Sequence, residues 1–163
     1  MAPGQVYVLE NHRLHRFTPE GTRSDSWRQL RRIFANDIAV DRTGNVYVSE
    51  ADGDRRWSRI RVIAPTGGEV TWRSVGDGDG TFDQQTQIAV DPDGLVYVVA
   101  SWKCRIEVFS PTGAPLGGWG TCGFGEGQFG NASGIAVDAT GHVFVADYTN
   151  NRVHVFRVRP RSR

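Results

Sequence analysis

Residues 130–156 read GNASGIAVDATGHVFVADYTNNRVHVF, two apolar runs and a closing Arg-Val-His-Val-Phe set between short Gly and Asn punctuation. Nearly the same phrase occurs twice upstream, as IAVDRTGNVYVSE at 38–50 and IAVDPDGLVYVVA at 88–100. A headless copy, GQVYVLENHRLHRF, occupies 4–17. Four arginines each precede an apolar residue, at Arg13, Arg59, Arg105 and Arg152, and the differences between those positions are 46, 46 and 47. A fixed period of that length decides the architecture before any single element does.

Each period divides into short extended segments. Ile-Ala-Val ends at an Asp that is followed three positions later by Gly44, Gly94 or Gly141, which is hairpin-turn chemistry. A second strand follows at Val46–Val48, Val96–Val98 or Val143–Val145, and a third begins at the arginine. Thr18-Pro19-Glu20-Gly21, Ala64-Pro65-Thr66-Gly67 and Ser110-Pro111-Thr112-Gly113 are further turns, after which a weaker fourth strand is expected near 70–75 and 116–119. Four antiparallel strands, the first two almost wholly apolar, describe a sheet covered on both faces. Radial stacking of such sheets supplies that cover, so the fold class is all-β, a β-propeller of about four blades. Linkers carry Gly78-Asp79-Gly80-Thr81-Phe82 and Gly125-Glu126-Gly127-Gln128-Phe129, each Phe six positions before the next Ile. These phenylalanines, with Phe34 in the first linker, are expected to wedge between blades. Trp27, Leu30 and Phe34 have helical spacing, which suggests a helical turn over 27–34.

G-x-G-x-F, then GIAVD, Gly-x-Val-Tyr/Phe-Val-Ala-Asp and Asn-Arg-Val-x-Val-Phe resemble the NHL repeat, most fully at 125–156, well at 78–109, with an enlarged loop at 34–63 and in part at 4–17. That resemblance implies a β-propeller. It does not imply one function, since propellers host many. Related propellers include lyases and lactonases with metal at the channel mouth, and the NHL domains of some tripartite-motif proteins bind RNA.

The expected organisation is one propeller segment over 1–158, with blades near 4–30, 36–76, 84–120 and 130–158, and a disordered Arg-rich tail at 159–163. Strands number three, four, four and three, two complete blades and two incomplete ones. The first blade lacks its inner strand and the last its outer strand, so the ends do not complement each other and ordinary closure fails. Three readings follow: an arc cut from a larger ring, a half-ring completed by a second copy as a homodimer, or a tight four-bladed ring.

Composition narrows the partners. Formal net charge is +1, and 18 Arg accompany a single Lys, so no global field selects nucleic acid or an anionic membrane. No run of about 18 apolar residues is present to span a bilayer as a helix. The opening MAPGQVYVLE has none of the regions of a signal peptide.

In such a blade the interblade linker, the start of strand one and the loop between strands two and three meet on one face, where loops on a rigid scaffold carry function. Candidate ligand-binding residues there are Arg56, Trp57, Trp102, Lys103, Asp147 and Tyr148, with Asp37 and Gln87 at the channel mouth. Tryptophan and arginine anchor protein interfaces. The plainer reading of Trp57 and Trp102 is that they cover blade seams. Cys104 and Cys122 are a disulfide candidate: pairing Phe109 with Leu116 around the Pro111–Gly113 turn puts position 104 opposite 121. A bridge places the chain in an oxidising compartment, and two unpaired thiols are the alternative. Asp41, Asp91, Asp138 and the four arginines recur in every blade, as turn caps and blade-locking ion pairs must, whereas a catalytic group is needed once. His12, His15, His142 and His154 show no metal-ligand spacing, and GDGDG at 76–80 lacks the length and closing Glu of a calcium loop. Asn131-Ala132-Ser133 fits a glycosylation acceptor, a frequent pattern. No cofactor is expected. The favoured function is a non-enzymatic scaffold for a protein or peptide. The alternatives are a metal-assisted lyase or hydrolase using Asp37, Glu50, Asp147 and His12, and an RNA-binding domain using Arg31, Arg32, Arg55 and Arg56.

Overall fold

The computed structural model describes residues 4–10, 13–29, 33–52, 58–74, 80–82 and 86–158. They form four antiparallel sheets of three, four, four and three strands. The first contains β1 (Val6–Glu10), β2 (Arg13–Phe17) and β3 (Arg23–Gln29). The second contains β4 (Ile33–Val40), β5 (Val46–Asp52), β6 (Ser58–Ile63) and β7 (Glu69–Ser74). The third contains β8 (Ile88–Val90), β9 (Val96–Ala100), β10 (Arg105–Phe109) and β11 (Pro115–Trp119). A short parallel pair, β12 (Thr121–Cys122) and β13 (Gln128–Phe129), precedes the last sheet of β14 (Ala132–Val137), β15 (His142–Asp147) and β16 (Arg152–Arg157). Strands within each large sheet lie in sequence order, and β8 rests against both β4 and β14. The architecture is all-β and propeller-like.

Three apolar cores lie between consecutive sheets and are built by one rule. The Val-x-Val of each second strand faces the preceding sheet: Val46 and Val48 pack with Leu14, Tyr7 and Leu9. Val96 and Val98 pack with Tyr47 and Ile60, and Val143 and Val145 with Tyr97, Val99 and Ile106. The residue between the two valines faces the following sheet, because side chains alternate along a strand. Both faces of the inner sheets are therefore dry, which explains why their second strands open on apolar runs, Val46–Val48 and Val96–Ala100.

Phe82 and Phe129 fill the second and third cores as wedges. Phe34 departs from that expectation. It lies within β4 and is 55% exposed, so lacking the glycine-flanked linker it does not act as a wedge. The helical turn expected over 27–34 is likewise not found in its described residues, because β3 reaches Gln29 and β4 starts at Ile33. Pairing in register with β2 and β5 offered those segments more hydrogen bonds than an isolated turn would.

The recurrent acids are turn caps. Asp41 accepts the backbone N–H groups of Thr43 and Asn45, both at 2.9 Å, and Asp91 those of Asp93 and Leu95 at the same distance. Asp138 does so with Thr140 and His142 at 2.8 and 2.9 Å. The second carboxylate oxygen takes the Tyr47 hydroxyl at 3.2 Å or the Tyr97 hydroxyl at 3.0 Å. Where the third copy has Phe144, His142 Nδ1 supplies that contact at 3.0 Å. Burial pushes Tyr47 up to about 12, with the Asp41 charge adding to it.

The arginines lock sheets through acids whose position shifts between copies. Glu50 on β5 receives Arg59 at 2.5 Å and Arg61 at 2.8 Å. In the third sheet Ala100 occupies the position of Glu50, and the acid is instead Glu107 on β10, 3.1 Å from Arg105. Arg61 and Glu107 stand at the same place in their repeats, so charge has been exchanged across the strand pair while the buried ion pair is kept.

Candidate functional site

The last seam displays its loops on a heavily cross-linked backbone. After β9 the chain makes a single turn of 3-10 helix, Ser101–Lys103, closed by Cys104 in the left-handed region at φ 52°. Ser101 Oγ donates to the carbonyl of Ala132 at 2.8 Å, fastening this loop to the next sheet, while Lys103 reaches back to Thr81 Oγ1 on the preceding linker. Between them Trp102 projects outward, 65% exposed.

Cys104 is bonded to Cys122, with Cα atoms 4.9 Å apart. The register that positions them differs from expectation at one point. Ile106, Glu107 and Val108 pair with Trp119, Gly118 and Gly117 as the turn predicts, but a bulge sets Phe109 opposite Pro115 instead of Leu116. Pro115 has no N–H to give the ladder, so the irregularity falls at the strand's first residue, where proline is tolerated.

The disulfide delivers the linker into a tight loop. Gly123 N–H donates to Phe129 O at 3.1 Å, and the Gln128 side chain accepts from Gly125 N–H at 2.9 Å. At the loop's tip Phe124 is 79% exposed. Sheet four holds the far side: Arg152 donates to the carbonyls of Gly125 and Gln128 at 2.7 and 2.9 Å. Asn150 Nδ2 donates to Gly123 O at 3.0 Å and to Asp147 at 2.6 Å. Tyr148 N–H donates to Asn131 O at 2.9 Å, which fixes a loop from which the Tyr148 ring stands 74% exposed. Trp102, Phe124 and Tyr148 thus rise from three segments joined to one another by a covalent bond and by hydrogen bonds.

Of the residues singled out from sequence, Trp102 and Tyr148 are on this rim. Lys103 lies at the preceding linker. Asp147 points inward: it is buried and accepts from Gly130 and Asn131 N–H, each at 3.1 Å, with His154 at 3.5 Å and Arg152 at 3.8 Å. Burial pushes its carboxyl up, but those donors outweigh it and hold the group below the usual carboxylate range. Asp37 on β4 lies beside the start of β8, which Gln87 immediately precedes, because Asp37 Oδ2 accepts the N–H of Ile88 at 3.0 Å, while Oδ1 accepts that of Ile38 at 2.8 Å. Burial raises the Asp37 carboxyl, opposed by those two bonds. Arg56 and Trp57, His12, Arg31, Arg32, Arg55 and the 159–163 tail lie outside the described residues. Phe124 was not among the sequence candidates. Its one signal was an aromatic side chain at the apex of a glycine-bounded linker, GFG, where no core position is available.

Among the described residues no three His, Cys, Asp or Glu side chains gather as a metal site. Asp37, Glu50 and Asp147, offered together as ligands, are each engaged separately: by the Ile38 and Ile88 amides, by two arginines, and by the linker amides. Among the described residues no helix is long and apolar enough to cross a membrane.

The NHL repeat family matches residues 129–156. No curated protein matches the sequence. Among solved structures, virginiamycin B lyase from Staphylococcus aureus superposes with a TM-score of 0.62 at 14% identity, over 98% of this chain and 54% of its own. Kuenenia stuttgartiensis hydrazine synthase gives 0.66 at 12%, over 94% and 54%. A gluconolactonase from Xanthomonas campestris gives 0.54 at 22%, over 84% and 42%. At such identities the likeness concerns the fold, and the chain spans about half the length of these structures. The chain thus carries an NHL repeat at 129–156 within an all-β, propeller-like stack of sheets in sequence order.

Proposed function

We propose that the chain is a non-enzymatic scaffold that binds a protein or peptide through the rim formed by Trp102, Phe124 and Tyr148. The observation that carries this reading is the exposure of three large aromatic rings on segments held by the Cys104–Cys122 bridge and the Asn150–Gly123 hydrogen bond. Ordered aromatic side chains lose little entropy on binding and dominate interface energetics. Rigid backbone beneath them keeps that cost low.

A selection from a random peptide library on the wild-type protein, followed by calorimetry, tests the proposal. Selected peptides should bind Trp102→Ala and Tyr148→Ala at least about tenfold more weakly, a loss of about 1.4 kcal/mol. Equal enrichment on the variant lacking all three rings would abandon the rim as the binding surface. Divalent metal at one ion per chain in purified protein would move the reading to the metal-assisted lyase or hydrolase.

A further inference from the structure

The seam between the second and third sheets is closed at one level and open at the next. Both of its walls are inner sheets. Trp72 of β7 stacks on Phe109 of β10, 6.3 Å between ring centroids, and lies so near the following turn that a Cβ on Gly113 would meet its ring at 2.5 Å. Val70 is two residues from Trp72 and therefore on the same face, yet it is 61% exposed. Tyr47, Val62 and Val70 pair in a row across β5, β6 and β7. Beside that row, at the end of the sheets opposite the aromatic rim, a cavity of about 640 Å³ opens, with the Pro92 and Pro111 turns of the third sheet as its other wall. A volume of that size suits a small-molecule site. Its floor has little polar capacity left, because the Tyr47 hydroxyl donates to Asp41, which also accepts from Thr43 and Asn45. Glu69 on β7 is engaged with Arg61 at 3.3 Å.

Two opposite charges at this opening stand unpaired. Among the described residues the Arg42 guanidinium and the Asp93 carboxylate make no hydrogen bond or ion pair, although both line this cavity and the adjoining one of about 230 Å³. Neither charge recurs: Arg42 is matched by Pro92 and Ala139 in the other turns and Asp93 by Thr43 and Thr140, while Val70 is matched by Gly117. Residues that every sheet needs are repeated, as Asp41, Asp91 and Asp138 are, so these three serve something particular to this seam. We propose that the opening binds a small zwitterion with an apolar body, the chemistry of an apolar amino acid or of a short apolar peptide with free ends. Its carboxylate meets Arg42, whose planar fork can take both oxygens, and its ammonium meets Asp93. Its apolar part covers Val62 and Val70 between Pro92 and Pro111. A ligand with a single charge would satisfy one of the two groups and desolvate the other without a partner, which costs affinity.

Calorimetry on the wild-type chain with leucine and with leucyl-leucine tests this. One or both should bind at one per chain, and the tighter of the two identifies free amino acid or peptide as the source. N-acetylation and C-terminal amidation of that ligand should each weaken binding at least about tenfold. Arg42→Ala should remove the penalty for amidation and keep that for acetylation, and Asp93→Asn should do the reverse. Both substitutions alter exposed turn positions, so the circular dichroism spectrum should not change. Val70→Glu, at an exposed strand position, should weaken every ligand. Absence of saturable heat from either ligand at about 1 mM overturns the proposal, as does equal binding of the blocked forms. Blocking penalties that persist in both turn variants, or an affinity indifferent to Val70→Glu, put the bound ligand elsewhere and overturn it too.

Discussion

Asn150 Nδ2 donates to the carbonyl of Gly123, 3.0 Å away and 27 residues earlier in the chain. Through that bond the last interstrand loop and the linker bearing Phe124 become one body, which Asp147 anchors from beneath by accepting the Asn150 amide, Gly130 N–H and Asn131 N–H. The rim is therefore as stable as its buried carboxylate and its disulfide.

Asp147→Ala should be among the most damaging single changes. It strands three donors and leaves Arg152 and His154 without their buried acid, for which about 3–5 kcal/mol is expected in urea unfolding. A loss under about 1 kcal/mol would mean that water replaces the carboxylate, and the anchor role would be withdrawn.

Reducing the Cys104–Cys122 bridge, which closes 18 residues, should lower unfolding free energy by about 3 kcal/mol. Peptide affinity at the rim should fall with it, since Trp102 and Phe124 would lose their common tether. Thermal melts with and without reductant read the first effect and calorimetry the second.

Gly113→Ala tests the seam between sheets two and three. Gly113 has φ 87°, and a Cβ there would come within 2.5 Å of the Trp72 ring, itself packed on Tyr47 and Phe109. Backbone strain and overpacking together should cost about 2–4 kcal/mol, visible as a lower melting temperature. Gly68→Ala, with nothing within 4 Å, is the control and should be near neutral.

Tyr97→Phe should cost about 1–2 kcal/mol by removing a donor from buried Asp91. Adding Leu95→His reproduces the arrangement of Phe144 with His142 and should recover part of that loss. Failure of the pair to recover any would show that the histidine contact in sheet four does not substitute for the hydroxyl.

The acid limb should be steep. Asp41 is pushed up by burial but held down overall by hydrogen bonds from Thr43 and Asn45, and Asp147 behaves alike; both folded values lie below 3.8. Their stabilisation is present above that ordinary value and is lost as pH falls through the depressed ones. Asp37 has the opposite sign: with a raised folded value, its contribution is complete below 3.8 and lost as pH rises through the raised value. Asp41→Asn should flatten the loss of stability below 3.8, and Asp37→Asn should flatten the change above it.

Period, turn chemistry and strand order were legible in the sequence because they are local or repeated: an Asp three positions before a Gly caps a turn wherever it occurs, and four arginines at even spacing reveal sheets that no single copy would establish. The disulfide was legible too, since hairpin register fixes which side chains face each other, even with a bulge at Phe109 that no pairing rule placed. Other features waited for the tertiary structure. Asp147 occupies a loop-like position in sequence, yet linker amides brought from 17 residues away turn it inward. Phe34 stands in the first linker as the wedge phenylalanines stand in theirs, but four positions before Ile38 instead of six, and without a glycine-bounded linker β4 extends through it. Sequence by itself determined the repeating sheet and which residues are structural in every copy; which aromatic rings reach water depends on what packs beside each sheet, and packing partners are distant in the chain.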